Sequence, residues 1–239
     1  MSQSKQSRWV FADYRNYFQN RVTLQRLAKA NDLATGMDAE VCVVVFGHET
    51  DEYVAEYIAH GAQKVLLVEH PSLNQYSVEK FTALMAKIAG DHQPEIILIG
   101  ATSFGREFAP RVAKRLGTGL TADCIGLEIT DEGYLLQIAP SFGGNLVAEI
   151  ITPDHRPQMA TVRPGTFQEF PHDNTRRGEV VPIPLPRKIP ADRLRLVAYE
   201  RRTDRDQRLE EAKIVVCGGR GMGSKLKFKK LFELAQLLS

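Results

Sequence analysis

Three short runs, Val41 to Phe46, Val65 to Val68 and Ile96 to Ile99, are almost continuously apolar, and segments with helical spacing flank them. A strand that is apolar on both faces must be covered on both faces, and strands alternating with helices build a parallel sheet with helices on either side. With Trp9 to Ala12 as a first strand, the chain begins as an α/β domain. Leu24, Leu27 and Ala28 recur at helical spacing, as do Val78, Phe81, Met85 and Ile88; Ser77 is placed to cap the second of these helices and Gly90 to stop it.

Beyond Gly117 the pattern changes to shorter β-rich runs: Ile125 to Ile129, Tyr134 to Ile138, Leu146 to Ile151 and Met159 to Val162. Asp131-Glu132-Gly133 and Gly143-Gly144-Asn145 separate them as turns, so hairpins are expected to extend or flank the parallel sheet. From Val181 to Pro186 proline alternates with apolar residues. Proline has no amide to donate, which confines this stretch to a sheet edge or a linker. The last periodic unit reads as a strand, Lys213 to Cys217, a turn, Gly218-Gly219-Arg220-Gly221, and a helix sharing Phe228, Leu231, Leu234, Ala235 and Leu238 on one face. The expected organisation is a domain over residues 1–192, then a linker and the start of a second α/β domain over 193–239.

Composition narrows the function classes. Of 239 residues, 43% are hydrophobic and 25% charged, the balance of a folded chain rather than a disordered one. A formal charge of +2 argues against nucleic acid; Arg201, Arg202, Arg205 and Arg208 cluster, but Asp204 and Asp206 break the cluster, as on a solvated face or a dock for an acidic partner. Cys42, Cys124 and Cys217 stand far apart and are odd in number, which supports neither a disulfide framework nor a zinc site. Cys42 and Cys217 lie in apolar runs and are expected to be buried. No stretch reaches the roughly 18 apolar residues of a membrane span, and a cytoplasmic or similar interior location is expected.

Chemistry could reside in two places. In GATSFGREFAPRVAKRL, Gly100 to Leu116, a strand runs into a helix start carrying Thr102, Ser103, Gly105 and Arg106, where free amides and the positive dipole end suit an anion or a nucleotide phosphate. The competing reading is a Ser103 cap with Arg106 paired to a neighbouring acid or a partner subunit. The Gly218 to Gly221 turn offers the same physics, although it is not GxGxxG. The six histidines show no metal-like spacing, and Asp51-Glu52 and Glu210-Glu211 are explained by helix starts and solvation.

Four blocks taken in order, Gly100 to Cys124, Phe142 to Ile150, Arg156 to Phe167 and Lys213 to Gly221, resemble the alpha subunits of electron-transfer flavoproteins, and Trp9 to Asn16 is similar to that family's first strand and turn. The resemblance covers roughly residues 8 to 239. It implies an N-terminal α/β domain pairing with an electron-transfer flavoprotein beta subunit, and FAD held mostly by a C-terminal domain. It also implies electron transfer from an acyl-CoA or related dehydrogenase, as in fatty acid beta-oxidation, to a further acceptor, with NADH-linked bifurcation as a variant. Arg220, Gly221 and Ser224 match the family's flavin-contacting start, and the later family segments around the flavin ring and diphosphate fall beyond Ser239. Such a chain carries electrons and makes no bonds. Two other classes remain open: a free-standing nucleotide-binding domain with AMP or ATP at Ser103 to Arg106, and a purely structural subunit.

Overall fold

The apolar runs form the middle of a seven-stranded sheet in the computed structural model, which describes residues 6–15, 17–141, 143, 146–190, 193–194, 197–198 and 212–238. In chain order the elements are β1 (Gln6–Phe11), α1 (Tyr17–Ala34), β2 (Ala39–Gly47), α2 (Asp51–Ala59), β3 (Lys64–Glu69), α3 (Val78–His92), β4 (Ile96–Gly100) and α4 (Ser103–Leu116). They continue with β5 (Leu120–Cys124), β6 (Gly126–Ile129), β7 (Leu135–Ser141), β8 (Leu146–Ile150), β9 (Gln158–Val162), β10 (Glu179–Pro182) and α5 (Lys225–Leu237). The chain divides into two compact units, Met1–Arg195 and Leu196–Ser239.

In the first unit the sheet order is β10-β3-β2-β1-β4-β9-β5, and every adjacent pair is parallel. Helices cover both faces, which makes the unit a three-layer α/β fold. On one face α3 and α4 bring Phe81, Met85, Ile88, Phe104 and Phe108 against Phe11 and Phe46. On the other, α1 and α2 bring Leu24, Leu27 and Tyr57 against Val10, Val43 and Val45. Each such side chain contributes about 1.5–3 kcal/mol by leaving water, so these faces, not helix propensity, hold the helices in place.

The β-rich runs after Gly117 divide between two destinations. β6, β7 and β8 form a separate antiparallel sheet in the order β6-β7-β8. β9, in contrast, joins the main sheet between β4 and β5. The proline-punctuated stretch supplies β10, the edge strand beside β3. Glu179 N donates to Gln63 O and Ile183 N to Leu67 O, so odd-numbered amides serve the ladder and Pro182 turns its donorless nitrogen outward.

Helix ends follow the capping chemistry with two adjustments. Ser77 Oγ accepts from Lys80 N as expected, but α3 runs through Gly90 to His92 and stops at Gln93, which takes the left-handed conformation at φ 50°. At α4 the cap is Thr102, whose Oγ1 accepts from Gly105 N at 3.2 Å, rather than Ser103. Gly105 itself is forced by proximity, because a Cβ there would sit 1.7 Å from Gly100 O.

In the second unit α5 forms, capped by Ser224, whose Oγ accepts from Lys227 N at 3.2 Å. Residues 213–217 form no strand, because a ladder needs a neighbouring strand and the described residues of this unit supply none. Cys217 is correspondingly exposed, whereas Cys42 and Cys124 are buried. Phe142, Gly144 and Asn145 of the FGGN turn, the Arg201 to Arg208 cluster and Glu210-Glu211 lie outside the described residues.

Candidate functional site

The glycine turn of the second unit is built from the backbone outward. Gly218 packs under α5, since a Cβ there would lie 2.1 Å from Leu231 Cδ1. Gly219, Gly221 and Gly223 face open space, with nothing within 4 Å of where a Cβ would stand. Arg220–Met222 makes one 3-10 turn, Gly223 takes φ 71°, and Ser224 then opens α5. Phe228 N donates the first helical bond, to Ser224 O at 3.0 Å. The amides of Lys225 and Leu226 therefore precede the intrahelical ladder and point along the positive end of the helix. Arg220 is exposed beside them. Arg220, Gly221 and Ser224 thus fall on one short turn that leads into a helix N-terminus, with three glycines facing open space, Arg220 in the turn, and Lys225 and Lys227 in the helix's first turn.

The second sequence candidate, the start of α4, behaves differently. Thr102 is buried and engaged as the cap, while Ser103 and Arg106 are exposed. Arg106 helps Arg163 hold the Asp123 carboxyl below its ordinary pKa, the Arg163 hydrogen bond being the larger cause. Arg163 Nη2 lies 2.7 Å from Asp123 Oδ2. The Asp123 carboxylate is held by Arg163, and Arg106 adds a weaker through-space attraction.

The topology also defines a crevice. β1 leads to β2 on one side, and β4 lies on its other side, so the strand order reverses at β1 and a ligand of a doubly wound sheet would enter at the carboxyl ends there. This chain fills that place with its own side chains. Arg15 Nε and Nη2 donate to Asp13 Oδ1 and Oδ2, both at 2.8 Å. The Arg15 guanidinium lies 4.3 Å from the Phe104 ring centroid and 5.2 Å from that of Tyr76. The cavity left among Phe11, Asp13, Arg15, Tyr76 and Phe104 holds about 40 Å³. A single water needs about 10–15 Å³ of such space, so the cavity holds a few waters. Sequence reasoning singles out neither Asp13 nor Arg15; the signal available is a charged pair immediately after the first strand.

The chain thus combines a parallel α/β unit, with an Asp13–Arg15 ion pair at its switch point, and a second unit that presents a glycine turn at a helix start. Residues 8–187 match the family model described as the electron transfer flavoprotein domain, and the chain belongs to that family. It is 41% identical over 230 residues to the electron transfer flavoprotein subunit alpha of Thermoanaerobacterium thermosaccharolyticum, covering 96% of this chain and 70% of that one. It is 40% identical over 240 residues to the protein of the same name from Clostridium acetobutylicum, covering 96% and 69%. Over 239 residues it is 31% identical to the acryloyl-CoA reductase electron transfer subunit beta of Anaerotignum propionicum, covering 90% and 65%.

Proposed function

We propose that this chain is the alpha-type subunit of a heterodimeric electron-transfer flavoprotein, with residues 1–192 as the partner-binding scaffold and residues 193–239 as the start of the flavin-binding part. The observation that carries the flavin assignment is the Gly218 to Ser224 turn. Its open glycines admit a bulky diphosphate, its first-turn amides suit a negative charge, and Arg220 adds a cation. These features fit FAD, for which Arg220, Gly221 and Ser224 would be contacting residues. When bound, the flavin supplies the redox chemistry; the protein positions and tunes it.

The beta-type partner is assigned to the small antiparallel sheet. β8 is its outer strand, and Leu146 and Val147 are 59% and 58% exposed there, with Ile150 and Ile151 also open to solvent. An apolar edge strand of this kind calls for cover. The donor in this reading is an acyl-CoA or related dehydrogenase, as in fatty acid oxidation in the cytoplasm. NADH-linked bifurcation depends on cofactors in the partner. Among the described residues no helix is long and apolar enough to cross a membrane.

The test is co-expression with a beta-type chain followed by the visible spectrum of the purified complex. A flavin affinity that falls about tenfold or more on Arg220→Ala, read from the flavin bands during titration of the stripped complex, supports the assignment, since a hydrogen bond to a charged group is worth about 1.5–3 kcal/mol. An unchanged affinity would make the chain a purely structural subunit. Bleaching of the bands by acyl-CoA plus its dehydrogenase, or by NADH alone, then separates the two donor classes.

A further inference from the structure

Arg8 is, with Arg26, one of two arginines whose side chains are fully buried in the first unit among the described residues. It sits in the middle of β1 at 1% exposure, between Val41 of β2 and Ile96 of β4. Its Nε and Nη1 have no hydrogen-bond partner. Burial pulls the Arg8 pKa below its usual range, against the weaker through-space attraction of the Glu95 carboxylate. That carboxylate is otherwise engaged: Gln158 Nε2 donates to Glu95 Oε1 at 3.2 Å and Arg156 is ion-paired to the same oxygen. The remaining Arg8 nitrogen, Nη2, donates to the Met37 sulfur at 3.0 Å. A thioether is a weak acceptor for a group with five strong donors.

Met37 is placed there by the turn that ends α1. Met37 N donates to Ala34 O at 3.1 Å and Ala39 N to Met37 O at 2.9 Å, so the residue is fixed at both ends. It is also 37% exposed, whereas Met85 and Met159 are fully buried. A side chain more than one-third exposed thus holds its sulfur against a buried guanidinium whose Nε and Nη1 have no partner.

We propose that Met37 is an oxidative modification site, at which a peroxide converts the thioether to a sulfoxide and the new oxygen is received by the Arg8 guanidinium. The sulfur lone pair attacks one peroxide oxygen. The S–O bond forms as the O–O bond breaks, and the departing hydroxide takes the proton left on the transferred oxygen and leaves as water. Sulfur loses two electrons and hydrogen peroxide gains them. Oxidation of a methionine ordinarily puts a polar group where an apolar one packed. Here it places a strong acceptor beside donors that lack one, a change that removes a buried deficit instead of creating it. The existing bond to sulfur withdraws electron density and slows the attack, so the signature lies in the stability of the product, not in its rate of formation.

The experiment treats the full chain with hydrogen peroxide, maps the added oxygen by peptide mass, and melts the oxidised protein. In a chain carrying Cys217→Ser and Met222→Leu, one oxygen is expected on the peptide that holds Met37, with Met85 and Met159 reduced, and a melting temperature equal to or above that of the same chain untreated. A drop of several degrees with the modification confined to Met37, or a Met37 that stays reduced while the fold is intact, overturns the proposal. Two variants test it without an oxidant: the amide oxygen of Met37→Gln can take the place of the sulfoxide oxygen, and Met37→Leu cannot. Gln melting above Leu supports the site, and the reverse order sinks it. Arg8→Leu leaves a core position to repack, so the Met37 pair carries the decision.

Discussion

Individual residues in this chain are decided by what lies within a few ångströms. Gly105→Ala is expected to cost about 3 kcal/mol or more, because the obstacle is a backbone oxygen at the end of β4 that cannot rotate away; a urea titration measures it, and a loss under about 1 kcal/mol would mean that α4 slides on the sheet. The thiols are expected to divide in the same local way. Burial pushes Cys42 and Cys124 up, the latter to about 12, while Cys217 is exposed. An aromatic disulfide reagent should therefore react quickly with one thiol, and Cys217→Ser should abolish that fast phase. Two phenols add a pH dependence. Burial raises Tyr57, whose hydroxyl donates to Asn20 Oδ1 at 2.8 Å, and Tyr14, whose hydroxyl donates to Phe46 O at 2.8 Å. A raised folded-state pKa means that the stabilisation is intact below the unfolded value of about 10 and declines as pH rises above it. Tyr57→Phe should make that alkaline decline shallower. The sequence reveals the capping hydroxyl of Ser77 but not Gln93 or Thr102, because helix ends are chosen by three-dimensional fit among several residues able to cap. It reveals Arg220, Gly221 and Ser224 only through family resemblance; the Arg15–Asp13 closure of the crevice depends on which strand ends meet, and no local pattern records that.

At the scale of elements, legibility follows burial. β1 to β4 are apparent because a strand covered on both faces must be apolar throughout, whereas the alternating prolines leave an edge or a linker open, and the structure makes the start of that stretch the edge strand β10. β5 carries no such signal: Leu120–Cys124 contains Thr121 and Asp123, is five residues long, and pairs with β9 through an irregular register. β9 is visible as a strand but not as a member of the parallel sheet, since its pairing with β4 spans a separation that hydrophobic period does not encode. β8 carries the assembly prediction. Its residues are exposed on both sides of the strand, unlike those of β9, which are all buried. Adding a beta-type subunit should slow hydrogen exchange of the β8 amides, and Val147→Asp should weaken the complex by placing a charge in the covered surface. Exchange in β8 that is indifferent to the partner would move the interface elsewhere.

For the molecule as a whole, the unequal distribution of core sets what each part can do alone. Among the described residues, every buried hydrophobic side chain lies in the first unit, from Trp9 to Val162, and Ile183, Leu185 and Ile189 pack against one of its two core clusters. In the second unit none of the described residues is buried; Ile214 and Val215 are 57% and 47% exposed, and Leu226, Phe232 and Leu237 are 76%, 64% and 84% exposed. A helix of 13 residues is marginal in water without a packed face. The fragment 1–192 should therefore fold by itself and melt within about 2 °C of the full chain, since the core that sets the transition is all present. The fragment 193–239 should show little helical circular dichroism. If the isolated C-terminal fragment were well structured, its helix would not need cover, and the exposed row along α5 would lose its meaning as a surface awaiting packing. If instead fragment 1–192 melted far below the full chain, the residues after 192 would be part of the scaffold's own stability, and the assignment of two functional parts would have to be redrawn.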